Sequence, residues 1–171
     1  MILHILKEPD PRLRIKAKAV EKVDDEIRQL MDDMLETMYN NDGMGLAAPQ
    51  VGVDKRVIVM DLNAGTNEEP LVFCMANPEV LWASTETETT PQGCLSVPEV
   101  HASVTRPAKV NIRYLDRNNQ QLEIEADGVL ATCVQHEIDH LNGVLFIDYL
   151  SRLKQEMIQK KLKKLKKFHP I

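Results

Sequence analysis

The segment Gln135–His140 (QHEIDH) holds the residues whose types and spacing point most clearly to chemistry. His136 and His140 are four residues apart, so on a helix their imidazoles share one face and can bind a single metal ion. Glu137 lies beside them, where a carboxylate can act as a general base. Two histidines and two carboxylates on an otherwise apolar helix are costly to bury unless something compensates them. The spacing therefore predicts a metal site with an adjacent base.

The third protein ligand of this site is not determined by spacing. Catalytic ions of this kind usually have three protein ligands and an open position. Cys94 is a reasonable candidate, because it lies in a polar, glycine-bearing stretch, Gln92–Ser96, from which a side chain can be directed at a site. Glu156 is another, although its basic neighbours favour an exposed ion pair along a helix. His169 belongs to the C-terminal end of the chain, where a helix frays.

Two further positions near the histidines can be excluded as the third ligand. An extended metalloprotease motif would place its third histidine where this chain has Phe146, so that version of the motif fails. Cys133 lies one turn before His136, and one helix cannot easily bring three such positions to one tetrahedral ion. We therefore expect Cys133 to line the pocket and not to bind the metal.

A glycine-bearing segment, Gly43–Gln50 (GMGLAAPQ), formally contains the pattern GxGxxA. A dinucleotide-binding loop needs a strand before this pattern and a helix after it. Here a predicted helix precedes it and Pro49 follows almost at once, which argues against nucleotide binding. We expect a loop in which glycine lets the backbone approach a ligand closely.

The elements that must position these residues can be predicted from apolar periodicity. Spacing of i, i+3, i+4 and i+7 predicts helices at 27–39, at 127–142 and in the basic tail at 151–171. Apolar runs predict strands at 56–62 and 70–75, and alternation predicts a hairpin of 110–115 with 122–126. Strands grouped between helices favour an α+β fold, with small mixed or antiparallel sheets around a buried central helix that carries HExxH. We expect one domain over residues 1–171.

Composition and charge restrict the class of protein further. No apolar run approaches the roughly 20 residues of a membrane helix, so we expect no membrane association. The start of the chain lacks the features of a secretory signal, and three cysteines are an odd number, so we expect reduced thiols in a cytoplasm. The segment 151–171 has eight basic residues and one acidic residue, hence +7, which leaves −12 on residues 1–150 of a chain with net charge −5. Such a basic tail is suited to a polyanion.

Three segments in order resemble the three motifs of peptide deformylases: GMGLAAPQ at 43–50, GCLS at 93–96 and QHEIDHLNG at 135–143. The stretch PDPRLR at 9–14 and the basic C-terminal helix are also similar, and the closest resemblance is to the bacterial type with a free C-terminal helix. The resemblance implies an enzyme that removes the formyl group from N-formylmethionine on nascent polypeptides and releases formate.

The same resemblance implies roles for individual residues. Cys94, His136 and His140 would bind the metal, usually Fe(II), with zinc, nickel or cobalt able to substitute. Glu137 would move protons, and the side-chain amide of Gln50 with the backbone N–H of Leu95 would stabilise the oxyanion. The resemblance also implies substrate-binding positions, with the backbone of Gly45 facing the peptide and side chains around methionine at Met44, Val129, Thr132 and Cys133.

The resemblance extends to partners as well. We expect a monomer that meets N-formylmethionyl nascent peptides. Related bacterial enzymes bind the ribosome through a basic C-terminal helix, which implies contacts of this tail with ribosomal RNA through Lys160, Lys161, Lys163, Lys164, Lys166 and Lys167.

Two positions depart from the family pattern. Gln92 replaces the glutamate that usually precedes Gly-Cys-Leu-Ser, and His101 stands where the family often has arginine. We expect a neutral contact in place of an ion pair, with activity retained and the rigidity of the loop around Cys94 affected.

Two other functions remain open from the sequence. One is an HExxH metallopeptidase that cleaves internal peptide bonds, which a downstream third ligand would favour. The other is a non-catalytic RNA-binding factor with a structural metal, but structural zinc sites have four protein ligands and no convincing fourth is evident.

Overall fold

The computed structural model describes residues 1–168; His169 and the two residues that follow it lie outside the described residues. In chain order the elements are α1 (Asp25–Asn40), β1 (Gly45–Ala47), β2 (Val57–Asp61), β3 (Val72–Ala83), β4 (Thr87–Cys94), β5 (Val97–Pro107), β6 (Val110–Leu115), β7 (Gln121–Ala126), α2 (Gly128–Leu141) and α3 (Arg152–Phe168). Short 3-10 turns lie at Pro11–Arg14, Ala48–Val51 and Phe146–Tyr149. None of the helices within residues 1–168 is long and apolar enough to cross a membrane.

The strands form two antiparallel sheets. Five strands pair in the order β1-β2-β3-β6-β7, and β4 pairs with β5 in a separate hairpin. The predicted α+β fold is confirmed, with the helix α2 that carries HExxH packed against the sheet. The predicted hairpin of 110–115 and 122–126 is also confirmed, with Val110 opposite Ala126 and Leu115 opposite Gln121.

The larger sheet has a helix on each face. Side chains alternate along β2, so Val57 and Val59 pack with α1 while Ile58 and Met60 pack with α2. The predicted helix at 27–39 is confirmed and begins at Asp25, because the carboxylate of Asp24 accepts a hydrogen bond from the N–H of Ile27 at 3.0 Å. Burial of its apolar stripe fixes α1 on the sheet.

Helix α2 is the predicted helix at 127–142. Asp127 occupies the position before its first turn, as expected, but its side chain makes no capping hydrogen bond. Gly143 follows the helix with φ of +74°, and a Cβ there would overlap the backbone of Arg14. Glycine is therefore required where the chain turns away from α2.

Three parts of the fold differ from the sequence-based prediction. The segment predicted as a loop at 43–50 contains the short strand β1, and β3 continues well past residue 75. The hairpin β4–β5 was not predicted at all. Its strand β4 is exposed along most of its length, so it lacks the apolar alternation that signals a half-buried strand.

The basic tail is a helix from Arg152, and only part of its predicted apolar stripe is docked. Leu162 is buried and Ile158 and Leu165 are partly buried against the β4–β5 hairpin. Leu153 and Met157 are exposed, so the first turns of α3 stand away from the hairpin.

Candidate active site

Three side chains meet at the junction of α2 and the β4–β5 hairpin in a geometry suited to one metal ion. The ligand atoms of Cys94, His136 and His140 all lie within 4.8 Å of one another. The Sγ of Cys94 is 3.3 Å from Nε2 of His140. Ligand atoms of one tetrahedral ion lie about 3.3–3.6 Å apart for thiolate and imidazole donors, so small rotations bring these three to an ion. The residues present therefore fit a divalent metal.

Local structure explains how Cys94 reaches the site. It is the last residue of β4, and a two-residue turn of Leu95 and Ser96 joins it to Val97 of β5. The backbone N–H groups of Ser96 and Val97 act to lower the pKa of the Cys94 thiol. The thiol is thus aimed by a tight turn whose amides favour the thiolate.

The two histidines are held by α2 and by packing beyond it. Their rings lie 5.1 Å apart between centroids, edge to face. Phe146 is buried and stacks on His136, with 5.9 Å between ring centroids. The residue at the position where a metallopeptidase motif would have its third histidine therefore packs against the ligand His136 and is not itself a ligand.

Burial controls the protonation of all three side chains. It lowers the pKa of His136 to about 4 and holds the pKa of His140 well below its ordinary value. Both imidazoles are therefore neutral, the form that binds metals. Burial, with the nearby Glu137 carboxylate, raises the pKa of the Cys94 thiol to about 12, against the effect of the backbone N–H groups. A divalent cation held by these side chains would favour the thiolate form of Cys94.

Glu137 lies next to these side chains with a carboxylate that the fold leaves free. Burial raises its pKa to about 8, and its Oε1 has no hydrogen-bond partner among the described residues. Gly45 of β1 faces it so closely that a Cβ at Gly45 would overlap the carboxylate. A buried acid with an unpaired oxygen can exchange a proton with a bound molecule.

The Gln50 side chain is fixed beside the three candidate metal ligands. Its Oε1 accepts a hydrogen bond from the N–H of Ala47 at 2.9 Å, and its Nε2 donates to Oγ of Ser96 at 3.0 Å. Nε2 also lies 3.5 Å from Sγ of Cys94. The amide is therefore oriented from both ends and presents a donor near the metal site.

These residues open into one groove with a volume of about 790 Å³. Its lining includes every substrate-binding position implied by the family resemblance: Met44, Gly45, Val129, Thr132 and Cys133. Gln50, Cys94, Leu95, His136 and Glu137 line it too, whereas His140 is buried behind it. The structure thus brings the predicted catalytic, metal and substrate positions to one place.

A buried arginine was missed by the sequence analysis. Arg106 of β5 donates to Oδ2 of Asp139 at 2.7 Å and to Oε1 of Gln92 at 3.1 Å, and it lies over the ring of Tyr149. Tyr149 donates its hydroxyl to the same oxygen of Asp139 at 2.7 Å. Alternation along β5 places Arg106 on the same inward face as Val104, which is the signal that could have identified it.

The expected contact between Gln92 and His101 is wrong. Gln92 lies opposite Ala102 in the hairpin and turns inward to Arg106, while His101 lies opposite Gly93 and is exposed. His101 and Arg106 are five residues apart on β5, so they point to opposite faces.

Glu156, which was considered as the third ligand, and Gln135 both lie outside the metal site. Glu156 is exposed and pairs with Arg152 at 3.5 Å. The amide of Gln135 donates to the carbonyl oxygens of Pro107 and Ala131, which holds α2 to the end of β5.

Comparison with known proteins identifies the family. The family model described as Polypeptide deformylase matches residues 2–156. The chain belongs to the polypeptide deformylase family. This confirms the predicted family and the prediction that the chain is an enzyme, and it disfavours a purely structural role for the metal site.

Individual deformylases are similar over nearly the whole chain. The peptide deformylase of Azotobacter vinelandii is 56% identical over 168 residues, 98% of each chain. That of Methylocella silvestris is 57% identical over 161 residues, 93% of this chain and 82% of the relative. The crystal structure of the peptide deformylase from Ehrlichia chaffeensis superposes with a TM-score of 0.94 at 42% identity, covering 100% of both chains. A second structure of that deformylase, in complex with actinonin, has a TM-score of 0.89 and 43% identity over 99% of both chains.

Proposed function

We propose that this chain hydrolyses the formyl group from the N-formylmethionyl ends of nascent polypeptides, releasing formate and a free amino terminus. The observation that carries the proposal is the convergence of Cys94, His136 and Glu137 on one groove, with His140 directly behind it, in a chain of the deformylase family. Three protein ligands leave a coordination position open, as hydrolytic sites require.

The ion we propose is Fe(II), with Zn(II), Ni(II) or Co(II) able to replace it. One thiolate with two imidazoles is a donor set that suits these borderline ions and not Mg²⁺ or Ca²⁺. When bound, a divalent cation lowers the pKa of a water and polarises a carbonyl oxygen.

Glu137 is the proposed proton carrier. Its carboxylate takes a proton from the attacking water and passes it to the departing amine, and burial has already moved its pKa toward neutral. Its unpaired Oε1 is free for this exchange.

Gln50 and Leu95 are proposed to hold the oxygen of the formyl carbonyl as negative charge develops on it. Nε2 of Gln50 is fixed near Cys94, and Leu95 follows Cys94 in the turn, so its N–H is carried by the same rigid element. Fixed donors of this kind stabilise an oxyanion without reorganisation.

The substrate peptide is proposed to lie along β1. This strand is at the edge of the five-stranded sheet, and Gly45 on it exposes backbone toward the groove. An extended peptide can add to such an edge through backbone hydrogen bonds. Met44, Val129, Thr132 and Cys133 then surround the methionine side chain.

The experiment that tests this function is formate release from a formyl-Met-Ala-Ser peptide by protein prepared anaerobically with Fe(II). An acetyl-Met-Ala-Ser peptide is the control for formyl selectivity, and mass spectrometry of a longer blocked peptide tests cleavage of internal bonds. Formate release without internal cleavage is expected. Internal cleavage without formate release would support the metallopeptidase alternative.

We also propose that the chain acts as a cytoplasmic monomer on ribosome-bound substrates. A free thiol at Cys94 is required for the metal and persists in a reducing compartment. Helix α3 presents lysines to solvent for ribosomal RNA, namely Lys160, Lys163, Lys164, Lys166 and Lys167. Lys161 belongs to the same set, but its ammonium already donates to the carbonyl of Glu99 at 2.6 Å.

A further inference from the structure

A second groove lies beside the active-site groove and has a volume of about 620 Å³. It runs between the N-terminal segment, the start of β5 and helix α3. Lys7, Pro98 and Glu99 line both grooves, so the two grooves adjoin at these three residues. A molecule bound in the first groove can therefore extend into the second.

The lining of the second groove is mixed in character. Apolar surface comes from Leu6, Leu162 and Leu165, and three carboxylates come from Glu8, Asp10 and Glu99. Three cationic side chains, Lys7, Arg12 and Lys166, balance them. A surface with apolar walls and no excess of one charge favours neither a nucleic acid nor a strongly acidic ligand.

Glu8 supplies a specific sign that this groove receives a hydrogen-bond donor. Its side chain is only 6% exposed. Its Oε1 accepts from Nη2 of Arg14 at 3.1 Å and from Nε2 of Gln159 at 3.3 Å. Its Oε2 is buried with no partner among the described residues. A buried carboxylate oxygen left without a donor is costly, so a ligand N–H beside it is favourable.

We propose that the second groove binds the downstream segment of the substrate polypeptide, beyond the residues that contact the metal site. The proposal rests on the proposed function. A nascent polypeptide continues past its formylmethionine and must leave the first groove, and the second groove adjoins the first at Pro98 and Glu99. Backbone N–H groups of an extended chain recur every second residue on one side, so one can meet Oε2 of Glu8 in many sequences.

The mixed lining suits this occupant, because nascent chains differ in sequence. Apolar walls from Leu162 and Leu165 accept many side chains, and a backbone contact at Glu8 needs no particular residue. The inference predicts that affinity rises with peptide length while depending weakly on the sequence of the added residues.

Glu8 also lies close to the catalytic elements, so its test must separate two effects. The backbone N–H of Glu8 donates to the carbonyl of Ser96 at 2.8 Å, next to the Cys94 turn. A change at Glu8 that merely disturbed that turn would alter kcat for peptides of any length. Loss of a contact in the second groove would instead raise KM for long peptides.

The experiment compares formyl-Met peptides of three and ten residues with the Fe(II) holoenzyme. We expect the longer peptide to have the lower KM. Glu8→Gln and His4→Trp, the second of which narrows the groove from an exposed position, should each reduce this advantage about three- to tenfold, the worth of one or two hydrogen bonds or contacts. Glu123→Gln removes an exposed carboxylate from β7 and serves as the matched control, expected to retain the full advantage.

Photocrosslinking locates the bound chain directly. A benzophenone side chain placed at residues five to eight of the long peptide should label Leu165 or the residues around Glu8, and excess unlabelled long peptide should prevent it. Formate release from the short peptide with no length advantage, or labelling elsewhere on the surface, would overturn this inference and leave the proposed function intact. Absence of formate release from both peptides would overturn the proposed function and this inference with it.

Discussion

The amide oxygen of Gln92 lies 3.2 Å from Nδ1 of His136. Because the same oxygen also accepts from Arg106, it is fixed as an acceptor, and Nδ1 must carry the proton. Nε2 of His136 is then left with its lone pair for a metal. The amide nitrogen of Gln92, by contrast, is buried and has no hydrogen-bond partner among the described residues.

Gln92→Glu should therefore strengthen metal binding. A carboxylate at this position removes the unpaired buried donor, pairs with the buried Arg106 and makes a charge-assisted bond to His136, which makes that imidazole a better ligand. We expect the metal dissociation constant to fall by about tenfold, measured by competition with a chelator. Gln120→Glu adds the same charge at an exposed turn and should change nothing. Unchanged or weaker metal binding in Gln92→Glu would show that Gln92 does not act through His136.

Cys94→Ala and Cys133→Ala should have opposite phenotypes. Cys94 belongs to the metal triad, so its removal should abolish stoichiometric metal binding. Cys133 lines the groove, so its removal should leave metal binding intact and raise KM. Equilibrium metal titration of both variants decides the matter, and loss of metal in Cys133→Ala alone would reverse the assignment.

Air should inactivate the Fe(II) form within the time of an aerobic assay, because the ion or the Cys94 thiolate is oxidised. The Ni(II) or Zn(II) form should survive the same exposure. The measurement is formate release before and after aeration, with thiol content followed in parallel. Equal losses for all three ions would mean that oxidation of the thiol alone is responsible.

Charge on α3 should govern binding to ribosomes. Because Leu162 is buried, substitution of lysines is a cleaner test than deletion of the helix. Exchange of Lys160, Lys163, Lys164 and Lys167 for glutamine should weaken co-sedimentation with ribosomes. In a plot of log binding constant against log salt concentration, the slope should become shallower by up to about three to four. Deformylation of a short peptide should be unaffected.

A matched control removes four lysines that lie elsewhere on the surface: Lys16, Lys18, Lys22 and Lys109. Equal loss of ribosome binding in the two variants would mean that total charge, and not α3, is recognised.

Features that depend on neighbouring residues could be predicted from the sequence, whereas features that depend on tertiary packing could not. His136 and His140 were placed correctly on one face because four-residue spacing on a helix depends on nearby residues alone. Cys94 remained one candidate among several, since its approach depends on a hairpin whose exposed strand β4 carries no apolar pattern. The contact of Gln92 was assigned wrongly because it depends on the pairing register, which puts Arg106 and not His101 on the inward face.

Some functional positions were predicted only through resemblance to a family. Gln50 and Leu95 lie far apart in sequence, and nothing in their types indicates a shared role. The structure shows that Gln50 and the turn containing Leu95 are joined through Ser96, a relationship that requires three-dimensional packing.

The most direct test of the catalytic account is formate release per bound metal ion by Glu137→Gln. The substitution keeps the size and burial of the side chain and removes its ability to carry a proton, and Glu137 is not one of the three candidate ligands. The account predicts full metal occupancy with kcat reduced by roughly 10²–10⁴-fold on a formyl-Met peptide. Near-normal kcat in the fully loaded variant would contradict the assignment of Glu137 and the mechanism built on it.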